Sequence, residues 1–428
     1  MTTQHLSYQW GFGNHLSSEA LPQSLPAGQN SPQRAPYGLY AEQLSGAPFT
    51  QKRALNQRSW LYRLLPSVVQ SRLTPLRHAG ITTEATSDPN AMRWNPLPLP
   101  STPCHFVDGL HTLLLSHPHG TGTGAAVYLY AANRPMSETF FCNNDGELLL
   151  VPEKGIHRLQ TEFGPLTVRP SEIAIIPRGV KFQLNPGDDN IRGYVLENYG
   201  APLTLPDLGP IGANGLANAR DFFYPNATFF DQSGAYQLIT KFQGQLWEST
   251  LRSHPLNVVA WHGNYAPYAY DLKRFNTINT VSFDHPDPSI FTVLTAPSAI
   301  PGQANVDFVI FPERWMVAEH TFRPPYYHRN VMSEYMGLIH GTYDAKEKDF
   351  VPGGGSLHNI MTPHGPDTDT FLSATKASLT PAKQTDTLAF MFESSLPWLV
   401  TKFSQEKSLL QQDYTKCWEK LPQLFDRK

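Results

Sequence analysis

The chain has 428 residues, of which 40% are hydrophobic and only 16% charged, against a usual ~25%, and its net charge is -3. That length and apolar content allow two or three domains with a proper core, and the 12% of aromatic residues excludes a disordered chain. No basic block offers a nucleic-acid footprint, and no apolar run approaches the ~20 residues of a membrane span, so neither partner is expected.

Residues 1–100 are rich in Pro, Gly, Ser and Asn and show little sustained periodicity. The stretch SPQRAPYGLYAEQLSGAPFT (31–50) mixes turn residues with aromatics, so this region reads as an ordered, irregular segment packed on something else. His117 and His119 form an H-x-H, but SHPHGTGTG around them is turn-like and predicts a surface loop. From about 108 to 200 the pattern changes to short β-rich runs: ELLLVP (147–152), IHRLQTEF (156–163), LTVRP (166–170), EIAIIP (172–177), VKFQL (180–184) and IRGYVLENY (191–199). Gly155, Gly164, Pro170, Pro177-Arg178-Gly179 and Asn185-Pro186-Gly187 punctuate them. Short strands at this spacing point to a sandwich or barrel. The P-R-G turn resembles a cupin (jelly-roll) motif.

A second β-rich block covers NTINTVSF (276–283), IFTVLTA (290–296), VDFVIFP (306–312) and YMGLIHGTY (335–343), and the glycine run Pro352-Gly353-Gly354-Gly355-Ser356 follows. Near the end, Leu410, Tyr414, Cys417, Trp418 and Leu421 fall on one helical stripe that stops at Pro422, which predicts a helix packed on the sheet. The expected fold is mainly β, two cupin-like or jelly-roll-like sandwich domains with a few helices, divided into residues 1–275 and 276–428. Cys104, Cys142 and Cys417 are far apart with no C-x-x-C pair, which disfavours disulfides or a cysteine zinc site. With no basic and apolar leader at the N-terminus, a soluble, cytoplasmic protein is expected.

Sixteen histidines are present, and most should be structural or surface groups. Clustering with a carboxylate is the informative signal. PPYYHRNVMSEYMG holds His328 and Glu334, and TPHGPD holds His364 just past a glycine turn. Two imidazoles and one carboxylate on one face of an octahedral ion leave positions open, the usual holder of ferrous iron in oxygen-activating enzymes. A structural zinc site would instead be closed by four ligands. On a straight strand His328 and Glu334 would share a face but lie about 20 Å apart. Donors to one ion sit about 2 Å from it, so the chain must bend between them, with Arg329-Asn330 the expected turn. The alternative is a surface pair between Glu334 and Arg329, with His328 incidental.

Longer strings narrow the choice. FRPPYYHRNVMSEYMGLIHGTYDAK (322–346), PGGGSLHNIMTPHGPD (352–367), VSFDHPDPSIFTVLT (281–295), GFGNHLSSEALPQSLPAGQNSPQRAPYGLYAEQLSG (11–46) and FMFESSLPWLVTKF (390–403) resemble the homogentisate 1,2-dioxygenases over about residues 8 to 420. The resemblance implies Fe(II) held by His328, Glu334 and His364. It also implies His285 as catalytic base, and Tyr343 and His364 against the substrate. The implied reaction joins homogentisate and O2 to give maleylacetoacetate in tyrosine and phenylalanine catabolism. The implied assembly is a homo-hexamer, a dimer of trimers. Asn143-Asn144-Asp145-Gly146 stand where a metal-binding cupin would place histidines, so the N-terminal jelly roll is expected to be metal-free and structural. Asp284 and Asp287 are expected either to fix the His285 tautomer or to cap a turn. His358 is a candidate partner behind the third ligand. Tyr326 and Tyr327 either line the pocket or pack. Two other classes stay open at this point: a zinc isomerase or hydrolase on the same fold, and a non-catalytic bicupin binding or storage protein.

Overall fold

Each of the six apolar runs between residues 147 and 199 forms a strand: Glu147–Lys154, His157–Thr161, Gly164–Val168, Glu172–Ile176, Lys181–Pro186 and Ile191–Asn198. Their ends fall at the glycine and proline turns. Gly179, in the P-R-G turn, has φ +85, the left-handed region that glycine enters without steric cost. The computed structural model describes residues 6–116, 122–187, 190–207, 216–280, 282–343 and 349–426. The His117-Pro118-His119 segment lies outside them.

Among the described residues, a 10-stranded sheet runs in the order Tyr8–Trp10, Phe222–Pro225, Tyr268–Asp271, Glu172–Ile176, Glu147–Lys154, Ile191–Asn198, Ala125–Ala132, Leu110–Leu115, Leu399–Thr401 and Ala85–Ser87. A 7-stranded sheet covers one face. There Phe141 and Phe182 meet Phe106 and Tyr130, with Phe106–Tyr130 centroids 5.3 Å apart. The neighbouring residue along a strand points to the opposite face. In register, Gly193 pairs with Tyr130, so Tyr194 faces away from that layer. It packs on Phe390 of a 6-stranded sheet, at 4.8 Å, and its hydroxyl donates to the Gly354 carbonyl at 2.8 Å. The central sheet is thus covered on both faces, which explains why Ala125–Ala132 is buried at every position rather than alternately.

The 6-stranded sheet runs Thr292–Pro297, Ala304–Phe311, Leu388–Ser394, Ser333–His340, Gly355–His358 and Met92–Trp94. Its register sets the site. Asp307 lies opposite Glu393, Glu393 opposite Glu334, and Glu334 opposite His358, so four chemistry-bearing side chains form one row on one face. The adjacent row, Phe308, Phe392 and Tyr335, points the other way into the core. The two halves also exchange edges. Met92–Trp94 closes the C-terminal sheet, and Leu399–Thr401 sits inside the N-terminal one.

The mainly β, sandwich-type fold is the one expected, and several details differ. The first 100 residues are not simply irregular: Leu16–Glu19, Val258–Gly263, Arg58–Arg63 and Tyr40–Ser45 make a 4-stranded sheet. The described part of NTINTVSF is not a strand; Asn276 makes one bridge to Leu216 and the chain then leaves for the site. The C-terminal stripe forms only a 3-10 turn, Tyr414–Trp418, because separate tertiary contacts hold its members. Leu410 bridges Trp94, Tyr414 meets His358 at 2.7 Å, and the Trp418 indole donates to the Pro366 carbonyl at 3.0 Å. The α-helix among the described residues is elsewhere, at Thr368–Lys376, capped by Asp367, whose carboxylate accepts from the Thr370 N–H at 2.8 Å. No helix among the described residues is long and apolar enough to cross a membrane.

Candidate metal centre and cavity

His328 and His364 are brought together by backbone. They form an isolated antiparallel bridge, with His328 N–H donating to the His364 carbonyl at 2.9 Å and the reverse bond at 3.1 Å. Their rings lie 4.1 Å apart between centroids. After His328 the chain turns at Asn330, whose Oδ1 accepts from the Met332 N–H at 3.1 Å, and then enters Ser333–His340. That turn brings Glu334 back beneath both rings. Its Oε2 lies 3.1 Å from His364 Nε2, and its Oε1 3.6 Å from His328 Nε2.

The two imidazoles are set up alike. His328 Nδ1 donates to the Tyr326 carbonyl at 2.9 Å, and His364 Nδ1 donates to the Thr362 carbonyl at 2.9 Å. A carbonyl only accepts, so each Nδ1 carries a hydrogen; each Nε2 faces Glu334, donating to the carboxylate when the ring is protonated and offering its lone pair to an ion when the ring is neutral. The three ligand atoms lie within 4.8 Å of one another. Burial pushes the Glu334 carboxyl up, but hydrogen bonds from His328, His364 and Asn330 outweigh it and hold the group well below the ordinary carboxylate range. The hydrogen bond to Glu334 in turn raises His328. The donor set fits one divalent ion approached from one face. Two imidazole nitrogens and one carboxylate oxygen converge, and among the described residues the remaining directions open into a cavity instead of meeting a fourth ligand.

That cavity, about 400 Å³, is of a size suited to a small organic molecule. His285, Tyr343, Arg314, Glu393, Met336 and Phe291 are among its lining residues. His285 is half-buried, and its Nε2 donates to the Arg323 carbonyl at 2.5 Å, which leaves Nδ1 as its acceptor. Tyr343 is buried against Phe311 at 5.8 Å. Tyr326 borders the cavity, whereas Tyr327 lies over Phe371 at 5.7 Å and on the outer side of the two histidines. Asp287 caps the Pro288–Phe291 turn, accepting from the Ser289 N–H at 3.1 Å. His358 stacks on His364 at 4.1 Å with the planes 7° apart.

Three lining groups were not singled out from the sequence. Glu393, in FMFESS, faces the site beside Glu334; burial lifts its carboxyl to about 7, with the Glu334 charge adding and a hydrogen bond from Asn330 opposing. Asp307 is also raised by burial. Arg314 is buried, with its guanidinium 5.7 Å from the Phe291 ring. A buried acid alternating with apolar residues on a strand is the one signal that would have found Glu393 and Asp307.

A β-sandwich carrying two imidazoles and a carboxylate at the wall of a small-molecule cavity has the arrangement of a metal-dependent enzyme. Family comparisons agree. Residues 7–272 match the model described as homogentisate 1,2-dioxygenase N-terminal, and residues 273–425 the corresponding C-terminal model. Relatives named homogentisate 1,2-dioxygenase include two from Pseudomonas species. The one from Pseudomonas entomophila (strain L48) is 54% identical over 426 residues, 99% of this chain and 98% of that protein. The one from Pseudomonas fluorescens (strain Pf-5) is 56% identical over 424 residues, 98% and 97% of the two. The chain belongs to the homogentisate 1,2-dioxygenase family.

Proposed function

We propose that this chain is a non-haem Fe(II) enzyme that opens the ring of homogentisate with O2, giving maleylacetoacetate in tyrosine and phenylalanine catabolism. The observation that carries the reading is the convergence of His328, Glu334 and His364 at the wall of a cavity that also holds His285 and Tyr343. Bound there, ferrous iron would supply open coordination positions for ring and oxygen and the electronic path between them.

The chain's own residues do the rest. His285 has its Nδ1 lone pair free of the bond that Nε2 makes, so a neutral imidazole can take the proton of the ring hydroxyl beside the acetate arm. Tyr343 hydrogen-bonds the substrate, and His364 lies against it. Met336, Met391, Phe291 and Phe311 give the aromatic ring apolar surface to pack on.

The same reading divides the chain near residue 275 into a metal-free N-terminal sandwich and an iron-binding C-terminal domain. It also makes the working form a hexamer of two trimers in the cytoplasm. Large exposed apolar groups such as Phe49, Val68 and Tyr37 support association, and three cysteines that form no disulfide support a reducing compartment.

Metal exchange tests the assignment. Stripped protein reloaded with Fe(II) regains homogentisate-dependent oxygen uptake in proportion to bound iron, and Zn(II) loading restores none. Equal activity with zinc would overturn it.

A further inference from the structure

Asn330 stands between the first two candidate ligands, and every polar atom of its side chain and carbonyl is engaged at the site. Nδ2 donates to Glu334 Oε1 at 3.1 Å and to Glu393 Oε1 at 2.6 Å. Oδ1 accepts from the Met332 N–H at 3.1 Å. The backbone carbonyl accepts from the Met361 N–H at 2.8 Å, in the loop that leads to His364. The amide has one workable orientation. Turned over, its carbonyl would face two carboxylate oxygens and its NH2 would face an N–H. Glu393 therefore acts as the acceptor that keeps the amide the right way round, and the Asx turn at Met332 locks it from the other side.

The consequence falls on Glu334. A carboxylate offered to a divalent ion binds through one oxygen or through both. Here Oε1 is engaged by the Asn330 amide at 3.1 Å as well as facing His328 Nε2 at 3.6 Å, while Oε2 is paired with His364 Nε2 at 3.1 Å, a candidate ligand atom that an ion would take up. We propose that Asn330 is a positioning residue that restricts Glu334 to binding metal through Oε2 alone, and so keeps open a coordination position that a two-oxygen carboxylate would fill. This rests on the reading of His328, Glu334 and His364 as the metal site. The substrate and O2 both need vacant positions, so the device matters for reaction more than for holding the ion.

Two variants separate these effects, Asn330→Leu and Asn330→Ser, both read in the Fe(II)-loaded protein without substrate. Near-infrared magnetic circular dichroism and X-ray absorption report the coordination of the ferrous ion, independently of turnover. The expected result is full iron occupancy in both, a changed ligand-field pattern with one added oxygen neighbour, and a 10–100-fold loss of oxygen uptake per bound iron. Glu393→Gln, which can still present a carbonyl to the Asn330 amide, keeps the wild-type spectrum. Iron loss in parallel with activity loss, or an unchanged spectrum in Asn330→Leu or Asn330→Ser, overturns the proposal. Should Asn330→Leu fail to fold, Asn330→Ser alone decides by the same readings. Wild-type protein that binds iron and takes up no oxygen with homogentisate would sink the functional reading instead, while the spectral comparison would still judge Asn330.

Discussion

Lys241→Met is expected to destabilise the N-terminal sandwich and leave the catalytic centre intact. Lys241 is 2% exposed, and its ammonium lies 2.6 Å from Asp145 Oδ2 and 2.9 Å from Glu197 Oε1. It is the cation at a buried polar cluster of this sandwich, next to Asn143–Gly146. Its removal strands two buried carboxylates, a change that costs about 3–5 kcal/mol. Both acids keep other donors: Glu197 receives the Tyr128 and Tyr199 hydroxyls and the Asn143 amide, and Asp145 receives the Gln243 and Gly244 N–H groups. That places the loss at the lower end, about 3 kcal/mol, or roughly 6 °C in melting temperature for a unit of this size. Calorimetry measures the shift, and metal analysis shows iron content per chain unchanged. Adding Glu197→Gln, which deletes one stranded charge, returns part of the loss. A melting temperature within a degree of wild type would refute the reasoning about the buried pair, and a fall in bound metal would refute a metal-free N-terminal half.

Glu334→Ala is expected to lose iron, whereas His285→Ala keeps iron and turns over slowly; metal content and oxygen uptake on the same samples decide, and equal iron loss in both removes His285 from its role. His157 gives a pH prediction. It is fully buried beside the Tyr130 hydroxyl at 2.7 Å, and burial depresses it from 6.5 to about 3. The unfolded chain takes the proton first, so this stabilisation is complete above about 6.5 and is lost as pH falls towards 3, by at most about 5 kcal/mol. Denaturant unfolding at several pH values should therefore show a shallower acid slope in His157→Gln than in wild type. Parallel slopes would count against the burial argument.

The parts legible in the sequence were those with local causes. The strands from Glu147 to Asn198 alternate with Gly and Pro turns and could be read one by one. The bend between His328 and Glu334 followed from the span of an extended chain, and Asn330 makes it. What could not be read depends on distant partners. Leu399–Thr401 enters a sheet of the N-terminal half, and Thr139–Asn143 pairs in parallel with Ser233–Phe242; neither pairing leaves a local pattern. The helical stripe from Leu410 to Leu421 misled because unrelated contacts to Trp94, His358 and Pro366 happen to share that spacing. The helix at Thr368–Lys376 had a usable signal, Asp367 as N-cap after Gly365-Pro366, with Asp369 in the first turn and Lys376 in the last. Glu393 was hidden because its importance comes from register with Glu334, 59 positions away in sequence but adjacent across the sheet.

The most direct test mixes Fe(II)-loaded protein with homogentisate and follows dissolved oxygen together with the absorbance of the ring-opened product. The account predicts one O2 consumed for each homogentisate, with product appearing at the same rate. Full iron occupancy with no oxygen uptake would contradict it.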